Sequence, residues 1–560
     1  MPQKIIIGSE TEYGSAVFNR TILVKQQLFW KHEANRLMLD VVGEVTKRPV
    51  FRGDQTTFSD TEEHESAEKE AEDNRDTNDP ELLHAQRRGE TGIMSVNGSR
   101  DYEDMTNFEH SCPEVTNPYD AVAFQKAGDF ITNECRRRIE DDLRRALKMR
   151  NASLKIFKNN SDGKGHSYGA HECYSLRRET FSYLCDKHVR MGEAHRNALM
   201  LFLIARQIIT GSGKIGSEHK NLLHTQFQIS QRADFIELPW SRDTTNNRGI
   251  INTRDISYTD TDLARLHLIV GDSNMSELSL FLKLGMTALF IQMLDSGFLF
   301  SRQTIFGTPL IDPVSLYHHV SRDLTLREPI LFLESKQKTG KKTALEIMYE
   351  FALLAASFSE EYQIPYGHAV VEHLKEALNG LSGNRHEHSG SASLDWVLKE
   401  SALEEYAKKH QVPLDHKLCL TLGLFYHAID PEKSVFAKLD AQGRVKHLVE
   451  VGAIERAVYN PPTDTRAWVR ANIVERYADS ISFMRWNLIV FKDEGEKGRV
   501  EINLGNPFLG KTEVLESLFG ENLPCTDFIS KLETLGIRDI VVTHTLPGRD
   551  MHRRRRELWR

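Results

Sequence analysis

Arg100, Tyr102 and Asp104 stand at alternate positions in the stretch NGSRDYEDMTNFEHSCPE, residues 97–114. Side chains alternate across a strand, so a strand here turns a guanidinium, a phenol and a carboxylate to one face. That trio makes a poor core. It suits a site: a carboxylate can attack a carbonyl carbon or take a proton from water, and a guanidinium can hold an anion. Glu10 and Glu12 repeat the spacing in IIIGSETEYG, residues 5–14. Two carboxylates side by side repel unless a cation sits between them, and hard divalent cations prefer oxygen ligands. A solvated edge strand is the competing reading, and the run Ile5, Ile6, Ile7 weighs against it.

A second candidate is FKNNSDGKGHSYGAHECY, residues 157–174, with Gly163, Gly165 and Gly169 among Asn159, Asn160, His166, His171 and Glu172. Glycines let backbone amides approach a phosphate, and the His171-Glu172 pair could reach a nucleotide or a metal. The spacing is not that of a P-loop, and a plain loop is the other reading. Arg232 and Arg254 fall at expected strand ends. Two arginines feeding one cleft would suit a polyphosphate; singly, each reads as a surface ion pair.

These residues need elements to position them. Residues 4–13 read as a buried strand and 15–40 as a helix. Residues of about 51–93 are acidic and nearly free of apolar side chains, the pattern of a mobile loop; a tolerated insertion is one reading, and the position just before the Asn97 stretch favours a lid or regulatory role. Residues 120–149 form an amphipathic helix pattern and 154–157 a short strand. A helix at 194–210 precedes strands at 231–237, 249–255 and 266–272. Ser273 and Ser276 offer N-caps to a long helix at 278–296. Residues 317–457 are mainly helical in pattern. A rigid turn at 460–466 then leads to apolar runs at 483–491 and 500–504, a helix at 511–519 and a strand at 538–542.

The chain has 560 residues and a net charge of -8, which gives no nucleic-acid footprint apart from the basic tail around Arg553 to Arg556. Its six cysteines form no CxxC pair, which suits a reducing cytoplasm. The first residues lack the apolar run of a secretion signal, and the best apolar stretch, 280–294, is broken by Lys283 and Gln292. The expectation is a cytoplasmic protein with no membrane partner. Oligomeric state is left open.

In order along the chain, GSETEYG, NGSRDYED, FKNNSDGKGHSYGAHECY, GSGK, QRADFIE, RGIINTRD, LHLIVGDSNMSE and NPPTDTRAW resemble blocks of the Pup ligase / Pup deamidase-depupylase family. That family is related to glutamine synthetase and γ-glutamylcysteine ligase. The deamidase-depupylase branch resembles the chain more closely, because its members carry an extra loop ahead of the strand that holds Asp104. The resemblance implies an α+β fold: a glutamine synthetase-like curved antiparallel sheet with flanking helices over residues 1–482, and a small α+β C-terminal domain with the basic tail over 483–560.

It also implies ATP and Mg2+ as cofactors, and a Pup-like modifier with its lysine conjugates as partner. By matching positions, Asp104 falls on the catalytic aspartate. Glu10, Tyr102 and Glu109 fall on metal-associated positions, with Glu12 and Glu172 nearby. Arg100 falls on a nucleotide-contacting arginine and Trp486 on a tryptophan beside the nucleotide; His171, Arg232 and Arg254 lie in blocks that face the phosphates. The expected reaction is hydrolysis of a Pup-lysine isopeptide bond or deamidation of a C-terminal Gln. A ligase joining a C-terminal Glu to lysine, and a divergent paralogue acting on another substrate or on ATP itself, remain open. Asp101 and Glu103 stand where the family usually has apolar residues.

Overall fold

The computed structural model describes residues 2–18, 27–54, 91–104, 107–145, 153–186, 189, 192–218, 227–335, 338–492 and 499–545. The acidic segment 55–90 and the basic tail lie outside these residues, so the expectations placed on them do too.

An eight-stranded antiparallel sheet organises the chain. Its strands are β1 (Ile7–Phe18), β2 (Val50–Asp54), β3 (Thr91–Ser95), β4 (Arg100–Asp104), β5 (Asn107–Ser111), β6 (Ser153–Phe157), β7 (Ala170–Arg177) and the Leu263–Leu268 strand. Their order runs from Leu263–Leu268 through β7, β1, β5, β4 and β3 to β2, with β6 paired to the far end of β1. Residues 15–18 were expected in a helix. They instead extend β1, because Ser15 and Ala16 pair with Ile156 and Lys155 of β6, and the helix begins only at Gln27–Thr46. Local periodicity lost there to a neighbouring strand that sequence spacing does not show.

One sheet face is covered by helices. Pro118–Arg145 packs there as an amphipathic helix, with Ala127, Ile131, Cys135 and Ile139 buried. Behind it runs Glu277–Asp295, capped by the Ser276 hydroxyl, which accepts from the Ser279 amide. This helix is long and apolar enough to cross a membrane by composition, but it is buried along its whole length in the protein's own core. It packs on Gly192–Ala205, where Phe202 stacks on Phe290 with ring centroids 4.2 Å apart.

A second core lies under a four-stranded sheet formed by Ile481–Met484, Leu488–Phe491, Arg499–Asn503 and Val541–Thr545. The apolar run 483–491 is thus a hairpin, turning at Arg485, Trp486 and Asn487. A helix at Cys525–Leu535, which the sequence reading did not include, covers the sheet. This core also takes in Trp468, Ile473 and Val474 of the helix Ala467–Tyr477, and Phe51 and Met94 of β2 and β3. The C-terminal unit is therefore fastened to the edge of the main sheet.

Candidate active site

Register decides which side chains meet. Glu10 and Glu12 of β1 stand opposite Ser111 and Glu109 of β5, and Glu10 also stands opposite His171 of β7. Tyr102 faces Glu109 and Asp104 faces Asn107 across β4 and β5, while His267 faces Cys173 across the Leu263–Leu268 strand and β7. Facing residues of an antiparallel pair share a side of the sheet. Arg100, Tyr102, Asp104, Glu109, Glu10, Glu12, His171, Cys173 and His267 therefore rise from one face, across five strands.

The carboxylates converge. Donor atoms of Glu12, Asp104 and Glu109 lie within 4.8 Å of one another, as do those of Glu10, Glu109 and His171. Tyr102 Oη donates to Glu109 Oε1 at 2.5 Å, and Asn107 Nδ2 donates to Glu12 Oε2 at 3.5 Å. His171 Nδ1 lies 3.2 Å from Glu10 Oε2. Arg100 folds its guanidinium over the Tyr102 ring at 4.7 Å.

This crowding shapes the acidities. Burial, with the charges of Glu10, Asp104 and Glu12 around it, pushes the Glu109 carboxyl well above the usual carboxylate range, against the Tyr102 hydrogen bond. Burial pushes on Glu10 as well, but His171, His267 and Arg265 outweigh it and hold that carboxyl well below the range. Burial and the Glu109 charge raise the Tyr102 phenol. Like charges this close call for a cation, and an all-oxygen set of carboxylates and a phenol fits a hard divalent ion.

Arg232 reaches the same region. It is buried, and its Nη1 donates to the Tyr168 carbonyl oxygen. Burial pulls its pKa below the usual arginine range while the charges of Glu12 and Asp272 work the other way, which places it within electrostatic reach of Glu12. The Asp272 carboxylate fixes its backbone, accepting from the amides of Ser212 at 2.8 Å, Gln231 at 2.8 Å and Arg232 at 3.1 Å. GSGK, QRAD and VGD are separate in sequence and meet on this one side chain.

Trp486 sits in the hairpin turn of the second sheet. Arg470 holds it, with its guanidinium 4.8 Å above the indole ring and Nη1 donating to the Trp486 carbonyl. Arg470 also donates to the Gly98 carbonyl, in the turn that leads to Arg100, and to Glu114. Glu114 binds Arg466 as well, and despite burial these two arginines hold its carboxyl down at about 2.

Glu172 corrects the sequence reading. It was grouped with the metal-associated residues, but it alternates with His171 and so points through the sheet to the helical side. There it is fully buried and forks onto Arg206 at 2.9 and 2.7 Å, with a further bond from Tyr174. Arg254 follows the strand Arg248–Asn252, which pairs with Ile236–Ser241 in a separate two-stranded sheet. Asp101 is also on the far face, where it meets His110 at 2.7 Å in a buried ion pair under Tyr102. Burial opposes charge on His110, but Asp101 carries the imidazole up to about 10.

Arg265 and His267 were missed. Their signal is the alternation Ala264, Arg265, Leu266, His267, Leu268, in which the apolar members are core and the polar members face the site. Burial and the neighbouring charges of Arg265 and His171 pull the His267 imidazole down to about 4, against the influence of Glu10.

The model of the Pup-ligase protein family matches residues 5–490. The chain belongs to the Pup-ligase family. Within it, the chain is 31% identical over 541 residues to a depupylase of Acidothermus cellulolyticus, covering 94% of this chain and 99% of that protein. A solved complex between the prokaryotic ubiquitin-like protein Pup and its ligase PafA has a TM-score of 0.71 at 25% identity, covering 96% of each chain. PafA in complex with ADP has a TM-score of 0.66 at 28% identity, over 77% of this chain and 90% of that one. The α+β expectation is met by this PafA-like fold, and the chain is an enzyme of the Pup-ligase family.

Proposed function

We propose that this Pup-ligase family enzyme is an ATP- and Mg2+-dependent hydrolase. It cleaves the isopeptide bond between a Pup-like modifier and a substrate lysine, and removes the amide from a C-terminal Gln of that modifier. The observation that carries this reading is Asp104 beside Glu12 and Glu109, with their oxygen atoms within 4.8 Å on one sheet face. Glu10, Glu12, Tyr102 and Glu109 are the groups that would hold Mg2+, which when bound supplies positive charge to an oxyanion. Arg100, His171, Arg232 and Trp486 are the groups this chain offers to ATP.

Asp104 then has two routes. As a nucleophile, its carboxylate attacks the γ-carbonyl carbon; the C–N bond breaks, the amine leaves with a proton, and water splits the resulting acyl anhydride. As a base, it takes a proton from a water that attacks the same carbon. In both, Arg100 rises four residues away on the same strand face, where its charge favours the developing anion.

The hydrolase reading is supported by likeness to a depupylase over 99% of its length, and by the long segment between β2 and β3, the branch mark noted above. A ligase, in which Asp104 deprotonates the attacking lysine, is the second reading, favoured by the likeness to PafA. Incubating the purified chain with ATP, Mg2+ and a Pup-lysine conjugate should release free modifier by mass. Formation of new conjugates from a modifier ending in Glu, without cleavage of old ones, would replace the hydrolase by the ligase.

A further inference from the structure

On the far face of the strands that carry the site, Asp101 of β4 stands directly opposite His110 of β5. The pair falls between two pairs on the site face, Arg100 with Ser111 and Tyr102 with Glu109. It is the middle of a buried row, with Ile93 of β3 opposite Asp101 and Thr11 of β1 opposite His110. Asp101 Oδ1 and His110 Nδ1 lie 2.7 Å apart, and both side chains are fully buried. Asp101 Oδ2 and His110 Nε2 have no hydrogen-bond partner among the described residues. The helix Pro118–Arg145 closes over the imidazole at Gly128, where a Cβ would lie 2.5 Å from Nε2.

A buried ion pair with an unused atom on each side is a poor source of stability, because well-packed apolar residues of similar volume do as well or better. What such a pair supplies is specificity of pairing. β4 ends at Asp104 and β5 begins at Asn107, and Met105 and Thr106 between them include no glycine or asparagine to dictate the register of a two-residue turn. A slip of two residues keeps every side chain on its own face. It would set Asp101 against Phe108 or Cys112, both buried, and leave two charges unpaired in the core. On the site face the same slip would set Tyr102 against Asn107 or Ser111 instead of Glu109. An apolar pair at 101 and 110 would carry no such penalty.

We propose that Asp101 and His110 are positioning residues: their buried pair fixes the β4–β5 register that sets Tyr102 on Glu109 and brings Asp104 to Glu12 and Glu109. The inference rests on the reading that this sheet carries the chemistry on its other face, and not on the direction of the reaction. The pair acts through strand register, so its loss lowers kcat and cation affinity while the chain stays folded.

The test compares the full native chain with Asp101→Leu/His110→Leu and with Asp101→Asn. The double variant removes both charges together, so its thermal midpoint should equal or exceed the native value. Its kcat for conjugate cleavage should still fall at least about tenfold, with KM within about twofold. Its Mg2+ affinity, read by calorimetry, should also fall about tenfold. Asp101→Asn keeps the spacing and the hydrogen bond to Nδ1, so kcat should stay within about threefold of native. A folded double variant with native kcat and native Mg2+ affinity would overturn the proposal. So would a folded Asp101→Asn variant that loses activity as the double variant does, and this comparison decides alone if the double variant does not fold. If the native chain cleaves no conjugate, the hydrolase reading fails, and the Mg2+ comparison still decides this one.

Discussion

Tyr102 donates its phenolic hydrogen to Glu109 Oε1 at 2.5 Å across a directly opposed β4–β5 pair. The bond holds in place a buried carboxyl pushed well above the usual carboxylate range, beside Asp104 on the same face. Tyr102→Phe removes the donor and leaves a buried acceptor. Chemical denaturation should show a loss of about 1–2 kcal/mol. Divalent-cation affinity, measured by calorimetry, should fall along with the rate of conjugate cleavage.

Asp104→Asn keeps the shape of the side chain and removes its charge and nucleophilicity. Turnover should fall by at least about a hundredfold while nucleotide binding stays measurable. Retained conjugate cleavage in this variant, read by mass, would exclude Asp104 from both proposed routes.

Glu172 and His171 are sequence neighbours with opposite duties. Glu172→Gln strips a fully buried ion pair of one partner and leaves Arg206 charged in the core. The expected cost is about 3–5 kcal/mol of stability. Cation affinity of the folded fraction should be unchanged, in contrast to a substitution at Glu109. A large change in cation affinity without loss of stability would return Glu172 to the metal site.

Glu114 links stability to pH. Its carboxyl is depressed from 4.5 to about 2 in the folded chain. A depressed acid stabilises the fold fully above its unfolded value, and that contribution fades as pH falls from about 4.5 toward 2. At about 1.36 kcal/mol per pK unit the contribution is roughly 3 kcal/mol. Acid unfolding should therefore begin earlier in Glu114→Gln, and the native and variant curves should converge near pH 2. A constant difference across that window would contradict the assignment.

The segment between β2 and β3 is testable by removal. Phe51 faces Met94 and Gly53 faces Gly92, up to the terminal pair Asp54 and Thr91. A short Asn-Gly turn in place of residues 55–90 should close this hairpin without loss of the fold. Stability should stay within about 1 kcal/mol, and the rate of conjugate cleavage should change. Insoluble protein would show that the segment is structural.

The alternation rule by itself read Arg100, Tyr102 and Asp104 onto one face of their strand, and Glu10 and Glu12 onto one face of theirs, because a strand has a fixed period. The helix Glu277–Asp295 was legible from its serine caps and apolar run, and Pro118–Arg145 from its amphipathic period. The run of family blocks supplied the fold class and the cofactor expectation. None of this joins one strand to the next. That Glu12 faces Glu109, or His267 faces Cys173, depends on register between segments far apart in sequence, and register is set by packing of the helical face. Tertiary structure alone decided that Glu172 turns inward to Arg206, that residues 15–18 extend a strand, and that Arg265 and His267 complete the site. A sequence carries the period of each element, but only the assembled sheet determines which rows of side chains meet, and so which charges must share one place.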